Sequence, residues 1–600
     1  MAQKYLTKSD YKRWQFCPTS AHHGWKNLPT NQDGNSFLAY LAEEGKTIGA
    51  LGRRLFSDGR LVDAKDLARA DQLTRAALRE DTTLFEACIV HDDYVVRPDI
   101  LLRKGDKLFV IEVKSKLGKL DWHRSGKMLV NMYHDVRAAF RDIVYDLAYQ
   151  VVVLERAFPG LQIVPHFLLP EETTEAKCEE VELARNGFEL ETGSVPDDVI
   201  QRRRDDSILK FFNAAMAIEK VREQTGLNMD AMAEAWRSGR RPEPRLRYQC
   251  RNCVFRLQNG SQEGDGFHQC WKALADPEPH LFSLYQLYSL KQLENKQALL
   301  ADSKIAQEKT SLYDIEESEL HGEHQSRQRM QLRSKKSGEE WIDPKLGEAI
   351  GSLSWPVCFL DFETILMTMP WYAGLRPGQV LPFQLSVHIL GADGHINHKE
   401  WLNTRDEIPT FEFIKQLRTA LDGVGSILTY TNYENQILEQ SLCFLRLYGD
   451  ESREERAWIF DLLHSGRIVD QHQWVYDWYQ HPSMDRTSIK AVMPAIWQSN
   501  AQLHKHPYFE KYFREENGCI VDPYKTLPEA VIDGQVFPVR EGTAAMRAYR
   551  EMIRGRGAEC AETKEALANL LREYVTLDTI SQFIIFEHWR QHFNSSVSMG

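Results

Sequence analysis

Residues 95–116 read VVRPDILLRKGDKLFVIEVKSK, and this stretch constrains the fold most tightly. Two apolar runs flank Lys104-Gly105-Asp106, the signature of a tight β-hairpin. With Gly105 and Asp106 as the loop pair, the register counts outward from Lys104 opposite Lys107 until Asp99 faces Glu112. Like charges directly opposite each other destabilise an antiparallel ladder. Lys114, two residues beyond Glu112, shares its face. A divalent cation would remove the objection, because Mg²⁺ takes oxygen ligands at about 2.0–2.1 Å. Cross-strand Cβ atoms lie only about 4.5–5.5 Å apart, within reach of one ion. Glu86, on the preceding apolar run, offers a further oxygen. The competing reading is a plain hairpin face carrying a Glu–Lys pair.

The surroundings predict a mixed α/β sheet. LFEACIV, YVVRPDILL and KLFVIEVKS read as three strands, followed by a helix over 131–157 and a strand at LQIVPHFLL. That β-β-β-α-β order belongs to an α/β arrangement. Residues 1–80 read as mostly helical, with turn signals near Pro29 and at Asp33-Gly34, and helix returns over 198–236. Residues 290–350 are polar and charge-rich and read as a helical connector. At 355 the character changes: WPVCFLDFETI is a buried strand ending in acids, PFQLSVHIL and SILTY are further strands, and helices dominate after 433.

The chain has 600 residues, enough for roughly two to four domains. Composition, 42% hydrophobic and 27% charged, is that of a soluble globular protein. No apolar run reaches the ~18 residues of a membrane span. The opening MAQKYLTKSDYKRWQFCPTS lacks the apolar core of a signal peptide, so a cytoplasmic location is expected, with the ten cysteines reduced or ligating rather than bridged. Net charge is −12, which excludes a general polyanion binder and confines any nucleic-acid surface to a local patch. RSGRRPEPRLRYQCRNCVFR, residues 237–256, is one candidate, with seven arginines against the single acid Glu243. A solvated charged loop is its plainer reading.

The proline-preceded Asp99, the Glu112-x-Lys114 strand and Gln150 on the following helix together resemble the PD-(D/E)xK nuclease superfamily, in its RecB-like branch. The resemblance implies that Asp99, Glu112, Lys114 and Gln150 are catalytic, with Glu86, Asp99 and Glu112 on the metal. Two departures stand out. Leu154 occupies the position where the branch usually carries a tyrosine. Gly49 lies where a metal-binding histidine is often found, with Glu43 and Glu44 nearby as substitutes.

Cys250 and Cys253 form a Cys-x-x-Cys pair, Cys270 follows, and Cys17 lies far upstream. Four thiolates suit tetrahedral zinc or an iron–sulfur cluster, and unligated thiols are the third possibility. One cysteine before the hairpin region and three after it resemble the iron–sulfur staple of RecB-like nucleases, which implies a 4Fe–4S cluster ahead of zinc. Cysteines 88, 178, 358, 443, 519 and 560 lack such spacing and are expected as ordinary buried small residues.

Asp361 and Glu363 stand at i and i+2 on a strand and share a face. Glu434 follows a later strand in YTNYEN, and Tyr574 and Asp578 are four apart on a C-terminal helix. Any one of these sets alone reads as structural acids. The ordered set resembles the DEDD exonucleases of ribonuclease H-like fold, in the subgroup with tyrosine in the last motif. That likeness implies carboxylates Asp361, Glu363, Glu434 and Asp578 on two metal ions, with Tyr574 orienting the attacking water. Glu434 departs from the usual aspartate. TSIKAVMPA, residues 487–495, resembles a Ser-Leu-Lys segment of the same exonucleases, or else is a capped helix start. Asp470 is expected as structural or substrate-facing.

The whole chain resembles an uncharacterised prokaryotic family joining these two domains. The expected fold is α/β in two domains: a restriction-endonuclease-like mixed sheet over 1–290 and a ribonuclease H-like mixed sheet over 351–600, with a charged connector over 291–350. The likeness implies an Mg²⁺- or Mn²⁺-dependent nuclease, of exonuclease type, acting on DNA or else RNA in repair or defence, with a helicase or defence-system partner. The alternative is a nucleic-acid-binding module with one or both sites inactive.

Overall fold

A computed structural model describes residues 5–32, 36–119, 128–133, 135–185, 206–257, 264–292, 298–532 and 534–597. The chain divides into two compact units, Met1–Trp271 with Met367–Gln379, and Lys272–Leu366 with Val380–Gly600. Both are mixed α/β. Among the described residues no helix is long and apolar enough to cross a membrane.

The first unit is built on a six-stranded sheet whose strands lie side by side in chain order: β1 (Arg60–Leu61), β2 (Thr82–Phe85), β3 (Ile100–Lys104), β4 (Lys107–Val113), β5 (Gln162–Pro170) and β6 (Leu209–Asn213). β1–β2 and β4–β5 are parallel, and the other pairs antiparallel. The β3–β4 register runs from Lys104 opposite Lys107 to Ile100 opposite Ile111, as the turn chemistry required. Gly105 supplies the left-handed backbone of that turn at φ 59°. One face of β4, with Leu108 and Val110, packs into the core shared with helix Arg141–Ala157. Ile111 and Val113 face a second cluster with Ile48, Leu51 and Leu168. Glu112 therefore points toward helix Arg141–Ala157.

Three expectations shift here. LFEACIV breaks at Glu86, which takes φ 51°, and Ile89–His91 pairs instead with Tyr94–Val96. The helix expected over 131–157 begins at Arg141, after a short turn at Ala138–Phe140. Residue 134 lies outside the described residues, as do Asp33-Gly34 and 198–205. The helix expected over 198–236 gives way to strand β6, and helix starts only at Ala215.

The second unit carries a five-stranded sheet of β7 (Val357–Leu366), β8 (Val380–Leu390), β9 (Ile396–Leu402), β10 (Ile427–Thr429) and β11 (Ile468–Asp470), in the order β9-β8-β7-β10-β11. β8 is antiparallel to β7 and β9, and β10 runs parallel to β7 and β11. Alternation along the central strand sorts its side chains. Cys358, Leu360 and Phe362 enter the core with Phe413, Ile414 and Leu417 of helix Thr410–Ala420. Phe359 turns the other way and stacks on Phe583, ring centroids 5.2 Å apart, in helix Ala561–Val597. Asp361 and Glu363 share that second face.

The first unit ends at Trp271 rather than near 290, and the stretch expected as a connector folds into the second unit. Helix Gln325–Ser337 within it buries Arg327, Gln328 and Gln331. Arg327 donates to the carbonyls of Val475 at 2.9 Å and Tyr479 at 2.5 Å, and Gln331 binds Tyr285 N and Ser283 O. A helix that buries amides and a guanidinium against backbone carbonyls reads as solvated in sequence, because its buried face is polar. Residues 293–297 lie outside the described residues.

Candidate functional site

Three separate segments of the second unit deliver four acids to one place. Asp361 and Glu363 come from the central strand, Glu434 from the first turn of helix Tyr433–Leu445, and Asp578 from helix Ala561–Val597. Carboxylate oxygens of Asp361, Glu363 and Asp578 lie within 4.8 Å of one another. These three, with Tyr574, Lys490 and Glu541, line a cavity of about 440 Å³.

The electrostatics of this cluster are unfavourable as it stands. Burial, then Asp578, Glu434 and Glu363, push Asp361 well above the ordinary carboxylate range. Burial and Asp578 do the same to Glu363, against the opposing pull of Lys490. Burial raises Glu434 as well, with Asp470 adding to the effect. The buried Glu434 Oε2 has no hydrogen-bond partner. A set of hard oxygen donors with no thiolate or imidazole suits Mg²⁺ or Mn²⁺, and the orphaned oxygen and mutual repulsion are what such an ion would relieve.

Aromatic and basic groups close the site. Lys490 Nζ donates to Tyr574 Oη at 2.6 Å and to the Arg540 carbonyl at 3.0 Å. It stands 4.5 Å from the Tyr574 ring centroid and 4.9 Å from that of Tyr524. The Tyr524 hydroxyl donates to Asp578 Oδ1. Asp470 caps helix Gln471–Trp478 and accepts the Thr431 N–H at 3.0 Å, fixing the loop before Glu434. Its role is to position. The sequence reading missed Tyr524 and Glu541, and it did not connect Lys490 with Tyr574.

In the first unit the hairpin brings Asp99, Glu112, Lys114 and Gln150 together, in a different electrostatic state. Glu112 is fully buried. Its Oε1 accepts from Lys8 at 2.6 Å and Lys114 at 2.8 Å, and its Oε2 from Gln150 at 2.8 Å. Burial works against its charge, yet Lys114 and Lys8 outweigh burial and hold Glu112 below the usual range. Burial and the neighbouring Glu112 raise Asp99, whose Oδ2 accepts the Val113 N–H at 2.7 Å. Asp146, unread in the sequence, lies 3.8 Å from Lys114 and 3.6 Å from Lys12. Glu86 pairs with Arg53 at 3.3 Å. Among the described residues, only Asp361, Glu363 and Asp578 meet as a trio of possible ligands mutually within 4.8 Å, so Glu86, Asp99 and Glu112 do not. Glu44 is buried and accepts the Met369 N–H at 3.4 Å.

Cys17, Cys250, Cys253 and Cys270 line one small cavity with His23 and Trp271. No three of the four sulfurs lie mutually within 4.8 Å, wider than the ~3.8 Å edge of a zinc tetrahedron with 2.3 Å bonds. Burial raises the Cys253 thiol to about 12 and pushes Cys250 and Cys270 up too. Arg241 donates to Cys270 Sγ at 3.1 Å. Of the other cysteines, 88 and 358 are buried as expected, but 178, 443, 519 and 560 are exposed; an isolated cysteine carries no local signal of burial.

A family model described as a domain of unknown function, DUF2779, matches residues 358–488, the stretch that carries Asp361, Glu363 and Glu434. No curated protein and no solved structure matches the chain.

Proposed function

We propose that the chain is a metal-dependent nuclease whose cutting site is the carboxylate cavity of the second unit. The supporting observation is the convergence of Asp361, Glu363 and Asp578 within 4.8 Å from distant segments, an arrangement that repels itself unless a cation sits among the oxygens. Mg²⁺ or Mn²⁺ bound there would lower the pKa of a water and stabilise charge on a phosphodiester oxygen. The chain's own contribution is to hold those oxygens, to exclude bulk water with Tyr524 and Tyr574, and to orient the Tyr574 hydroxyl through Lys490. The four cysteines would hold a 4Fe–4S cluster that ties the first unit's termini together. DNA is the leading substrate and RNA the alternative, in repair or in defence against foreign nucleic acid, beside a helicase or defence-system partner.

A second reading applies to the first unit alone. Lys8, Lys114 and Gln150 already occupy both Glu112 oxygens, which favours a hairpin that grips nucleic acid over one that cuts it. A panel of labelled single- and double-stranded DNA and RNA, given Mg²⁺ or Mn²⁺, tests both. Asp361→Ala abolishes cleavage on the main reading, and Asp99→Ala leaves it intact on the second. Cleavage undiminished in Asp361→Ala overturns the assignment. Brown, iron-containing protein that loses its colour in Cys253→Ser supports the cluster, and colourless zinc-loaded protein refutes it.

A further inference from the structure

The first unit holds a larger cavity that none of the assignments above uses. Lys12, Arg137, Arg141, Lys220 and Arg247 line a cleft of about 1120 Å³, against only Asp135 and Asp142. This basic excess sits in a chain of net charge −12. Lys116 stands 3.4 Å from Asp142 and offsets part of its charge. Arg141 and Lys220 are exposed and form no ion pair among the described residues. A concentration of cations with few counter-charges, in an otherwise acidic molecule, is the footprint of a polyanion site.

The cleft connects to both chemical features of its unit. At one side Lys12 reaches Asp146, which also faces Lys114 of the hairpin. At the other, Arg247 and Gln249 donate to the Phe16 carbonyl at 3.3 and 2.8 Å, and Phe16 lines both this cleft and the cysteine cavity. Aromatic groups accompany the cations. Phe16 and Tyr145 line the cleft, and Tyr133 stands 74% exposed beside its lining residue Asn131. The Asn131 side chain fixes that segment by accepting from Tyr133 N and Asp135 N, both at 2.9 Å.

We propose that this cleft binds a single-stranded polynucleotide, its phosphates on Arg141, Lys220, Lys12 and Arg247 and its bases against Tyr133 and Tyr145. The proposal rests on the nucleic-acid reading above but not on cleavage. Cations that follow a backbone, interleaved with aromatic faces, are how single strands are held without sequence preference. The bases of a duplex are already stacked and offer no free faces to such rings.

The test is fluorescence anisotropy with a labelled oligothymidylate of about 20 nucleotides, enough to span a typical site, in EDTA so that nothing is cut. The full chain binds, and affinity falls as salt rises. Arg141→Ala with Lys220→Ala flattens the plot of log affinity against log salt by about 0.7 for each phosphate that the pair no longer neutralises. Arg141→Lys with Lys220→Arg restores the slope. Both pairs alter exposed side chains, and unchanged thermal melting verifies the fold. An unaltered slope in the alanine pair overturns the cleft, as does absence of binding in the parent. Equal competition by a duplex or by heparin overturns the single-strand assignment. Adding Mn²⁺ separates the two claims. Cleft-dependent binding without cleavage sinks the nuclease and leaves the cleft standing; cleavage with unaltered binding in the alanine pair does the reverse.

Discussion

Lys490 Nζ lies 2.6 Å from Tyr574 Oη and 4.5 Å from the centroid of the same ring. One cation thus fixes both the hydroxyl and the tilt of a tyrosine that lines the carboxylate cavity. Lys490→Met removes both interactions and is expected to lower kcat by about 10–100-fold, the scale of a misplacement near 1 Å. KM should move less. Lys490→Arg retains the cation and recovers part of the loss. Parental turnover in Lys490→Met would show that Tyr574 needs no such support.

The repulsion among Asp361, Glu363 and Asp578 implies a trade between stability and metal binding. Asp361→Asn removes one of the clustered acids, so the metal-free protein should melt higher, by about 2–4 °C for each kcal/mol of repulsion relieved. Added Mn²⁺ should raise the parent's midpoint, because a ligand at 100 times its Kd stabilises by about 2.7 kcal/mol. The same titration should leave Asp361→Asn nearly unmoved. Thermal melting of both proteins with and without Mn²⁺ measures this. A variant that melts lower and still responds to the ion contradicts it.

These two sites were unequally legible in the sequence. The hairpin register was readable because a two-residue turn fixes which residues pair, and the pairing of Lys104 with Lys107 carries through to Ile100 opposite Ile111, one step short of Asp99 and Glu112. The acids of β7 were readable because charge at the end of an apolar strand is anomalous. What ties the sites together is long-range. Lys8 meets Glu112 across 104 positions and Tyr524 meets Asp578 across 54, and no local periodicity links such pairs. The polar helix Gln325–Ser337 was unreadable for a different reason: its buried face consists of hydrogen-bonding groups, which hydropathy counts as solvent-facing.

Glu112 tests whether the hairpin is held by ion pairs. Its carboxylate is fully buried between Lys8 and Lys114. Glu112→Met leaves Lys114 with only the longer 3.8 Å pairing to Asp146 and is expected to destabilise the first unit by up to about 3–5 kcal/mol. In Glu112→Met with Lys114→Met the Lys114 charge is gone too and only Lys8 is left unpaired, so the double variant should lose less than the sum of the singles. Denaturant melts of the four proteins give the coupling. Strict additivity would mean that the two side chains act independently despite their 2.8 Å separation.

His388 supplies a pH-dependent term through Thr579, the residue after Asp578. Its Nδ1 lies 2.8 Å from Thr579 Oγ1, its ring stacks on His398 at 4.1 Å, and Tyr508 meets it edge-on at 5.6 Å. Burial, followed by the charges of His398 and Lys511, holds the imidazole well below its usual pKa of 6.5. The unfolded chain therefore takes up this proton first as pH falls. The stabilisation is complete above about pH 6.5 and is lost on acidification, by about 1.4 kcal/mol per unit until the folded-state pKa is reached. His388→Gln can keep a hydrogen bond to Thr579 but has no proton to gain. Its deficit relative to the parent should be largest near neutrality and shrink as the pH falls below about 6.5. Denaturant midpoints across that range measure the deficit, and one that stays constant with pH would exclude a titrating His388.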